Sequence, residues 1–125
     1  YHGYSFLYYA DRVESIRASG GTHRADLIMK YLLQKRHLAP SHSSTLIIPD
    51  TEKDHLVIEE APDFFVTGHI HRTAAFNYRN VTMIGCSCWV GRTSFMEKVG
   101  IYPDPSRVTL VNLQTREMKI LKFGE

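Results

Sequence analysis

The chain has 125 residues, of which 43% are hydrophobic, and its 15 lysines and arginines nearly balance 13 aspartates and glutamates, giving a net charge of +2. This length and composition predict one folded domain with a real core and exclude an intrinsically disordered chain. So small a net charge is no argument by itself for binding to nucleic acid. No apolar run reaches the roughly 18–20 residues needed to cross a bilayer, so we expect a soluble, cytoplasmic protein.

The first third of the chain predicts two helices. Residues 9–18 carry apolar side chains at helical spacing, and the glycines at 20–21 end the pattern. Thr22 is a candidate N-cap for a second helix that has Asp26 in its first turn. An apolar stripe follows. The cationic residues at 35–37 lie at the C-terminal end of this helix, where the helix dipole favours positive charge.

Between the helices and the later strands lies a polar stretch, residues 41–54. It predicts a loop with room for one short strand at residues 46–48. His37, His42 and His55 lie in or beside this stretch without the spacing of a ligand set. We therefore predict surface histidines and assign them no function.

The second half of the chain predicts mostly β structure. Two strand pairs are expected, at residues 74–78 with 81–84 and at residues 108–113 with 118–123. Residues 93–99 fit either a short helix or a loop, and the Pro103-Asp104-Pro105 run excludes regular structure. Helices first and strands afterwards predict an α/β or α+β fold in one unit.

Two further features concern the cysteines and the first residues. Cys86 and Cys88 are one residue apart, which fits neither a disulfide framework nor the usual gap of a zinc knuckle, so we predict reduced, buried thiols. The chain begins with Tyr1 rather than Met. The His-Gly pair that follows is typical of the end of a strand, whose body would lie upstream of Tyr1. We therefore expect a piece of a longer polypeptide.

The most informative stretch is the apolar run at residues 64–67 followed by Gly68-His69-Ile70-His71. If strand geometry continued through the motif, His69 and His71 would point to one face and present both imidazoles to one site. Neutral imidazole is the commonest protein metal ligand, and two metals about 3.5–4 Å apart would let neighbouring histidines bind different ions. The alternative is a pair of surface or hydrogen-bonded histidines; the glycine and the apolar strand before them favour a metal site.

With these elements the chain resembles the second half of a calcineurin-like metallophosphoesterase domain, so residues 1–125 are expected to be the C-terminal portion of one such domain. Within that superfamily the chain most resembles the small, exonuclease subunit of the archaeal D-family DNA polymerase. The residues that carry the resemblance are Tyr1-His2-Gly3-Tyr4-Ser5, residues 35–40, residues 56–63 leading to Gly68-His69-Ile70-His71, and residues 102–108.

The resemblance implies a fold and a metal site. The fold is part of a four-layer α/β/β/α sandwich, with two divalent metal ions, usually manganese, at the sheet ends. By the same resemblance His2 and His69 are ligands of the second metal and His71 is a ligand of the first. The family's Asp-x-His, Gly-Asp and Gly-Asn-His motifs, which supply a bridging aspartate and the general-acid histidine, are absent from this sequence and expected upstream. The chain alone is therefore expected to be inactive and to contain no catalytic residue.

The implied activity is metal-dependent phosphodiester hydrolysis by a 3′→5′ proofreading exonuclease, with DNA and a large catalytic polymerase subunit as partners. Two alternatives stay open: a free-standing phosphoesterase acting on small phosphate esters or cyclic nucleotides, and a catalytically silent polymerase scaffold. Tyr4, Tyr8 and Trp89 are conceivable stacking platforms for bases, although core packing is the favoured interpretation of each. The chain is expected to associate with the missing half of the domain or with copies of itself.

Overall fold

The computed structural model describes residues 1–124. Its helices are α1 (Phe6–Arg12), α2 (Glu14–Ala18), α3 (Ala25–Lys35) and α4 (Ser94–Lys98), with a short 3-10 helix at Gly21–His23. Its strands are β1 (Phe64–Thr67), β2 (Ala74–Tyr78), β3 (Val81–Gly85), β4 (Arg107–Val111) and β5 (Met118–Lys122). The predicted α/β fold, with helices first and strands afterwards, is confirmed. None of the helices within residues 1–124 has the length and apolar character that crossing a membrane requires.

The core lies between the helices and one face of a three-stranded sheet. In this sheet β3 is central, parallel to β1 on one side and antiparallel to β2 on the other. Because side chains alternate along a strand, Phe65 and Thr67 of β1 both point towards the helices, where they are buried. The Thr67 hydroxyl reaches the Met29 sulfur of α3 at 3.3 Å. Burial of the α3 stripe against this face therefore joins the helical part to the sheet.

The other face of the sheet is met by the β4–β5 hairpin, which forms a separate antiparallel pair. Arg116, in the turn of the hairpin, donates to the Asp63 carboxylate at 2.9 Å and to the Asn80 carbonyl at 3.3 Å. Its guanidinium also lies 4.8 Å from the centre of the Phe64 ring. An open cavity of about 530 Å³ is lined by residues of β2, of the hairpin turn and of β5. The described residues thus form three layers, and the fourth layer remains a prediction.

Two local predictions for the helices are wrong. The helix expected at residues 9–18 begins earlier, at Phe6, and breaks at Val13, whose backbone is extended at φ −89° and ψ 108°. Thr22 does not cap α3, because it lies within the 3-10 helix, and the N-cap position is taken by Arg24 without a side-chain cap hydrogen bond. The two glycines before Thr22 both take positive φ and wind the chain into this extra turn.

The strand pairs are confirmed. In the first pair the turn residues Arg79 and Asn80 have φ values of 46° and 65°, and positive φ at both central positions is the signature of a tight hairpin turn that matches strand twist. Residues 93–99, left open between helix and loop, contain α4. The Thr93 hydroxyl caps this helix by accepting from the Met96 N–H at 3.2 Å.

The loop after α3 is irregular in the structure. The short strand considered at residues 46–48 does not form, and these apolar residues are exposed. His42 and His55 are exposed as predicted, whereas His37 is half-buried and its Nε2 lies 2.7 Å from the Asp54 carboxylate. This hydrogen bond lowers the pKa of Asp54, assisted by a backbone N–H from Leu56. His37 therefore fastens the loop to the end of α3.

The start of α3 is held by an ion pair. The Arg24 guanidinium donates to both oxygens of the Asp26 carboxylate, at 2.8 and 2.7 Å. This hydrogen bonding keeps the pKa of Asp26 below its usual range, against a smaller opposing effect of burial. The carboxylate also lies in the first turn, where the helix dipole favours negative charge.

The α3 stripe should dominate stability. Leu32 is fully buried, so Leu32→Ala is expected to lower the free energy of unfolding by about 2–5 kcal/mol through lost burial and the resulting cavity. Leu46→Ala is the matched control, because Leu46 is fully exposed and its truncation should change little. Urea denaturation measures both. Equal losses from the two variants would contradict this placement of the core.

The Asp26 pair should make stability depend on pH. Because the pKa of Asp26 is lower in the folded than in the unfolded state, its contribution is present above about pH 4, the ordinary value, and is lost as pH falls through the folded value. Asp26→Asn should therefore lower the urea midpoint at pH 7 and converge with the unsubstituted protein at low pH. A difference that stays constant with pH would show that the charge is not responsible.

Candidate functional site

The candidate site begins where two backbone segments cross at the end of β1. The Gly68 N–H donates to the His2 carbonyl at 3.0 Å. Gly3 has φ +106°, and a Cβ at this position would lie 3.3 Å from the Gly68 carbonyl oxygen and 3.4 Å from the His69 Cβ. A side chain here would be strained in conformation and crowded. The glycine at position 3 therefore lets His2 lie beside His69.

The Gly-His-x-His motif is a turn and not an extension of β1. The strand ends at Thr67, and the Ile70 N–H bonds back to the Gly68 carbonyl at 2.8 Å around His69, whose φ is 66°. His71 also has positive φ, at 56°. A three-residue turn with positive central φ is rare, and each left-handed non-glycine residue costs about 1–3 kcal/mol. The expectation that strand geometry brings both imidazoles to one face is therefore wrong.

Three aromatic rings meet at this turn. The His2 and His69 ring centres are 5.1 Å apart, and the Tyr4 ring lies 4.8 Å from the first and 5.2 Å from the second. Burial lowers the pKa of His69, and electrostatic interaction with the neighbouring His2 and His71 lowers it further. His69 is thus kept as the neutral imidazole, which is the protonation state that metal binding requires.

His71, two residues after His69, has an unusual environment. Its Nδ1 is buried and has no hydrogen-bond partner, and the same holds for Arg72 Nε and Thr73 Oγ1. A buried polar atom without a partner typically costs about 1–3 kcal/mol, so three in consecutive residues fit a segment built to receive a ligand.

The donor chemistry of the three predicted ligands therefore fits a metal ion, but their arrangement is incomplete. The structure brings His2 and His69 together and places His71 close enough to influence His69 electrostatically. Across residues 1–124, no three His, Cys, Asp or Glu side chains are arranged to hold a metal ion. His2, His69 and His71 remain predicted ligands that need further donors.

Exposure corrects two predictions about neighbouring side chains. Tyr4 and Trp89 are 64% and 69% exposed, so the core packing expected for them is wrong, whereas Tyr8 packs against the core as predicted. Tyr4 precedes α1 and Trp89 follows β3, and neither belongs to an element whose face is buried. Cys86 and Cys88 are free thiols as predicted, but Cys86 is exposed and Cys88 half-buried, which contradicts the predicted burial.

Sequence reasoning missed Asp104 as a neighbour of the motif. Its N–H donates to the His71 carbonyl at 2.9 Å, and its carboxylate accepts from the Thr73 N–H at 3.1 Å. The signal in the sequence was an acidic residue between two prolines, which excludes helix and strand. That signal does not reveal which part of the chain this loop contacts.

No protein-family model matches the chain. Curated relatives match most of it. The DNA polymerase II small subunit of Methanothermobacter thermautotrophicus is 38% identical over 125 residues, which is 99% of this chain and 24% of the relative. The DNA polymerase II small subunit of Pyrococcus furiosus is 37% identical over 128 residues, which is 98% of this chain and 21% of the relative. That of Halobacterium salinarum is 38% identical over 97 residues, 77% of this chain and 19% of the relative.

The chain is similar to archaeal DNA polymerase II small subunits. It spans about a fifth to a quarter of the length of these relatives. The similarity to the Methanothermobacter and Pyrococcus furiosus subunits extends over nearly the whole chain, and so includes both segments that cross at the candidate site.

The crossing at Gly3 can be tested with three alanine variants. Gly3→Ala should cost at least about 1 kcal/mol of stability and shift the imidazole NMR signals of His2 and His69, because it adds both strain and contact. Gly100→Ala, at φ +72° in open space, should cost stability without moving those signals. Gly91→Ala, where a Cβ meets nothing within 4 Å, should change neither. A Gly3→Ala variant that behaves like Gly91→Ala would refute the close approach.

Proposed function

We propose that the chain is the C-terminal portion of the calcineurin-like phosphoesterase domain of an archaeal D-family DNA polymerase small subunit. The complete protein then hydrolyses DNA phosphodiester bonds from the 3′ end. The observation that carries this proposal is the pairing of His2 with His69, whose ring centres are 5.1 Å apart although the residues are distant in sequence. Similarity to DNA polymerase II small subunits over nearly the whole chain supports the same proposal.

His2, His69 and His71 are the proposed metal-binding residues, and manganese is the proposed ion. When bound, two divalent ions lower the pKa of a water molecule and stabilise the charge that develops on the phosphate oxygens. His69 contributes a neutral imidazole because its pKa is lowered by burial. His71 contributes a buried Nδ1 that has no protein partner. The bridging carboxylate and the general-acid histidine are expected from other parts of the complete protein.

Tyr4 is the residue proposed to meet the DNA. Its ring is exposed and lies against both His2 and His69, at the rim of the candidate metal site. Stacking of a base on an aromatic ring contributes about 1–3 kcal/mol and does not depend on the identity of the base. The proposed role of Tyr4 is to hold the terminal base of a single-stranded or frayed end beside the histidines.

The proposed partners are DNA, the large catalytic polymerase subunit and the remainder of the small subunit, in the archaeal cytoplasm. The test uses the complete small subunit, alone and with the large subunit, on 5′-labelled single-stranded DNA with manganese. Release of nucleotides from the 3′ end supports the proposal. Hydrolysis of small phosphate esters or cyclic nucleotides but not of DNA would favour a free-standing phosphoesterase. No hydrolysis with any of these substrates would favour a silent scaffold.

The metal-binding proposal predicts the effect of single histidine variants in the complete protein. His69→Ala and His71→Ala should each reduce nuclease activity by more than the roughly 10–100-fold that loss of an outer partner of a metal ligand costs. Their stabilities should change little, because neither imidazole is part of the apolar core. His42→Ala is the control, since His42 is exposed and outside the site. A His71→Ala variant with unreduced rates at saturating manganese would exclude His71 as a ligand.

A further inference from the structure

We propose that Asp104 is a positioning residue that fixes the conformation of residues 71–73, so that the His71 imidazole is held ready for a metal ion. This inference rests on the proposed function, because it gives His71 a ligand to bind. It adds a residue from the second half of the chain, which lies outside the Gly-His-x-His motif.

Asp104 holds the segment at both ends. Its N–H donates to the His71 carbonyl at 2.9 Å, and its carboxylate accepts from the Thr73 N–H at 3.1 Å. The same carboxylate forms an ion pair with the Arg72 guanidinium at 3.1 Å, so every residue of the segment contacts Asp104. The Asp104 side chain is only 16% exposed, which limits competition from water for these bonds.

The segment needs such support because His71 has a left-handed backbone, with φ 56°. A non-glycine residue keeps this conformation only where its surroundings over-determine it. The bond to the His71 carbonyl fixes the rotation of the following peptide unit, and the bond to the Thr73 N–H fixes the next one. The direction of the His71 side chain then follows from a backbone that Asp104 holds in place.

The charge of Asp104 is part of this arrangement. Arg72 forms an ion pair with its carboxylate at 3.1 Å and, through the same terminal nitrogen, donates a hydrogen bond to the Tyr102 carbonyl at 2.9 Å. The Arg107 guanidinium lies 3.6 Å from the carboxylate. One carboxylate therefore balances two guanidinium groups beside the predicted metal ligand. An uncharged substitute leaves both positive charges uncompensated next to a site proposed to bind cations.

The loop that carries Asp104 is itself anchored to the exit of β3. The Ser87 hydroxyl donates to the Asp104 carbonyl, and the Ser106 N–H donates to the Cys88 carbonyl at 2.8 Å. Asp104 is thus fixed against the strand that pairs with β1, at the same end of the sheet as the histidines. The support for His71 is therefore a chain of contacts through the segment that follows β3 rather than a single side chain.

The test uses the complete small subunit with Asp104→Ala and Asp104→Asn. Calorimetry on the metal-free protein measures manganese affinity, and NMR of the metal-free protein follows the His71 imidazole. Asp104→Ala should weaken manganese binding about 10–100-fold and shift the His71 signal before any metal is added. Asp104→Asn keeps an acceptor for the Thr73 N–H but not the charge, so its loss of affinity should be smaller. The nuclease rate at saturating manganese should fall less than the affinity does.

Asp63 supplies the matched control. Its carboxylate also holds a guanidinium, that of Arg116 at 2.9 Å, but it lies just before β1, at the opposite end from the histidines. Asp63→Ala should leave manganese affinity and the His71 signal unchanged, even where stability falls. If Asp63→Ala weakens manganese binding as much as the Asp104 variants do, Asp104 has only a structural role and the inference is wrong.

The outcomes separate this inference from the proposed function. If the unsubstituted protein binds no manganese and hydrolyses no DNA, the proposed function fails. If it does both, and folded Asp104→Ala keeps the same affinity and the same His71 signal, the positioning role alone is overturned. Should Asp104→Ala not fold, Asp104→Asn decides, because it removes the ion pairs with Arg72 and Arg107 on which the positioning rests. Unchanged manganese affinity and an unchanged His71 signal in that variant overturn the inference.

Discussion

The hydrogen bond from the Gly68 N–H to the His2 carbonyl is the contact on which the candidate site depends. It forms at a crossing where position 3 has no room for a relaxed side chain. The carbonyl of Gly3 then accepts from the Phe6 N–H at 2.9 Å, and Phe6 begins α1 and is fully buried in the core. His2, Gly3 and Gly68 therefore determine both where the core helix α1 begins and where His2 lies relative to His69. Folding of the core and assembly of the site cannot be separated.

The Gly-His-x-His motif combines a strained backbone with contacts that stabilise it. His69 and His71 have left-handed backbones, while Ile70 between them is buried and anchors the turn from within the core. Asp104 supports the turn from outside. A turn held from two sides can keep imidazoles in one orientation without a bound ion, which reduces the ordering cost when a ligand arrives. Such preorganisation is typical of binding sites and is unusual for ordinary surface loops.

The sequence predicted what depends on local patterns. The α3 stripe follows from helical spacing, and the tight turn at Arg79 and Asn80 follows from two flanking apolar runs. The pairing of His2 with His69 was expected only from family resemblance, since spacing along the chain contains no information about that crossing. The return of the Asp104 loop was missed because a long-range contact, to His71, decides it. The break at Val13 was missed because the apolar spacing continues through it. Core packing was the favoured interpretation of Tyr4, but its place in a turn before α1 keeps it exposed.

The way in which the β4–β5 hairpin is attached has a consequence for partial unfolding of the protein. Arg116 contacts Asp63, Asn80 and the Phe64 ring, but no residue of β4 or β5 is fully buried, and an open cavity lies between β2 and β5. Cooperative units in a protein open separately where few buried contacts join them. The hairpin therefore forms a local unit that can detach while the helices and the central sheet remain folded. Its amide protons would then exchange with solvent through this partial opening, well before those of β3.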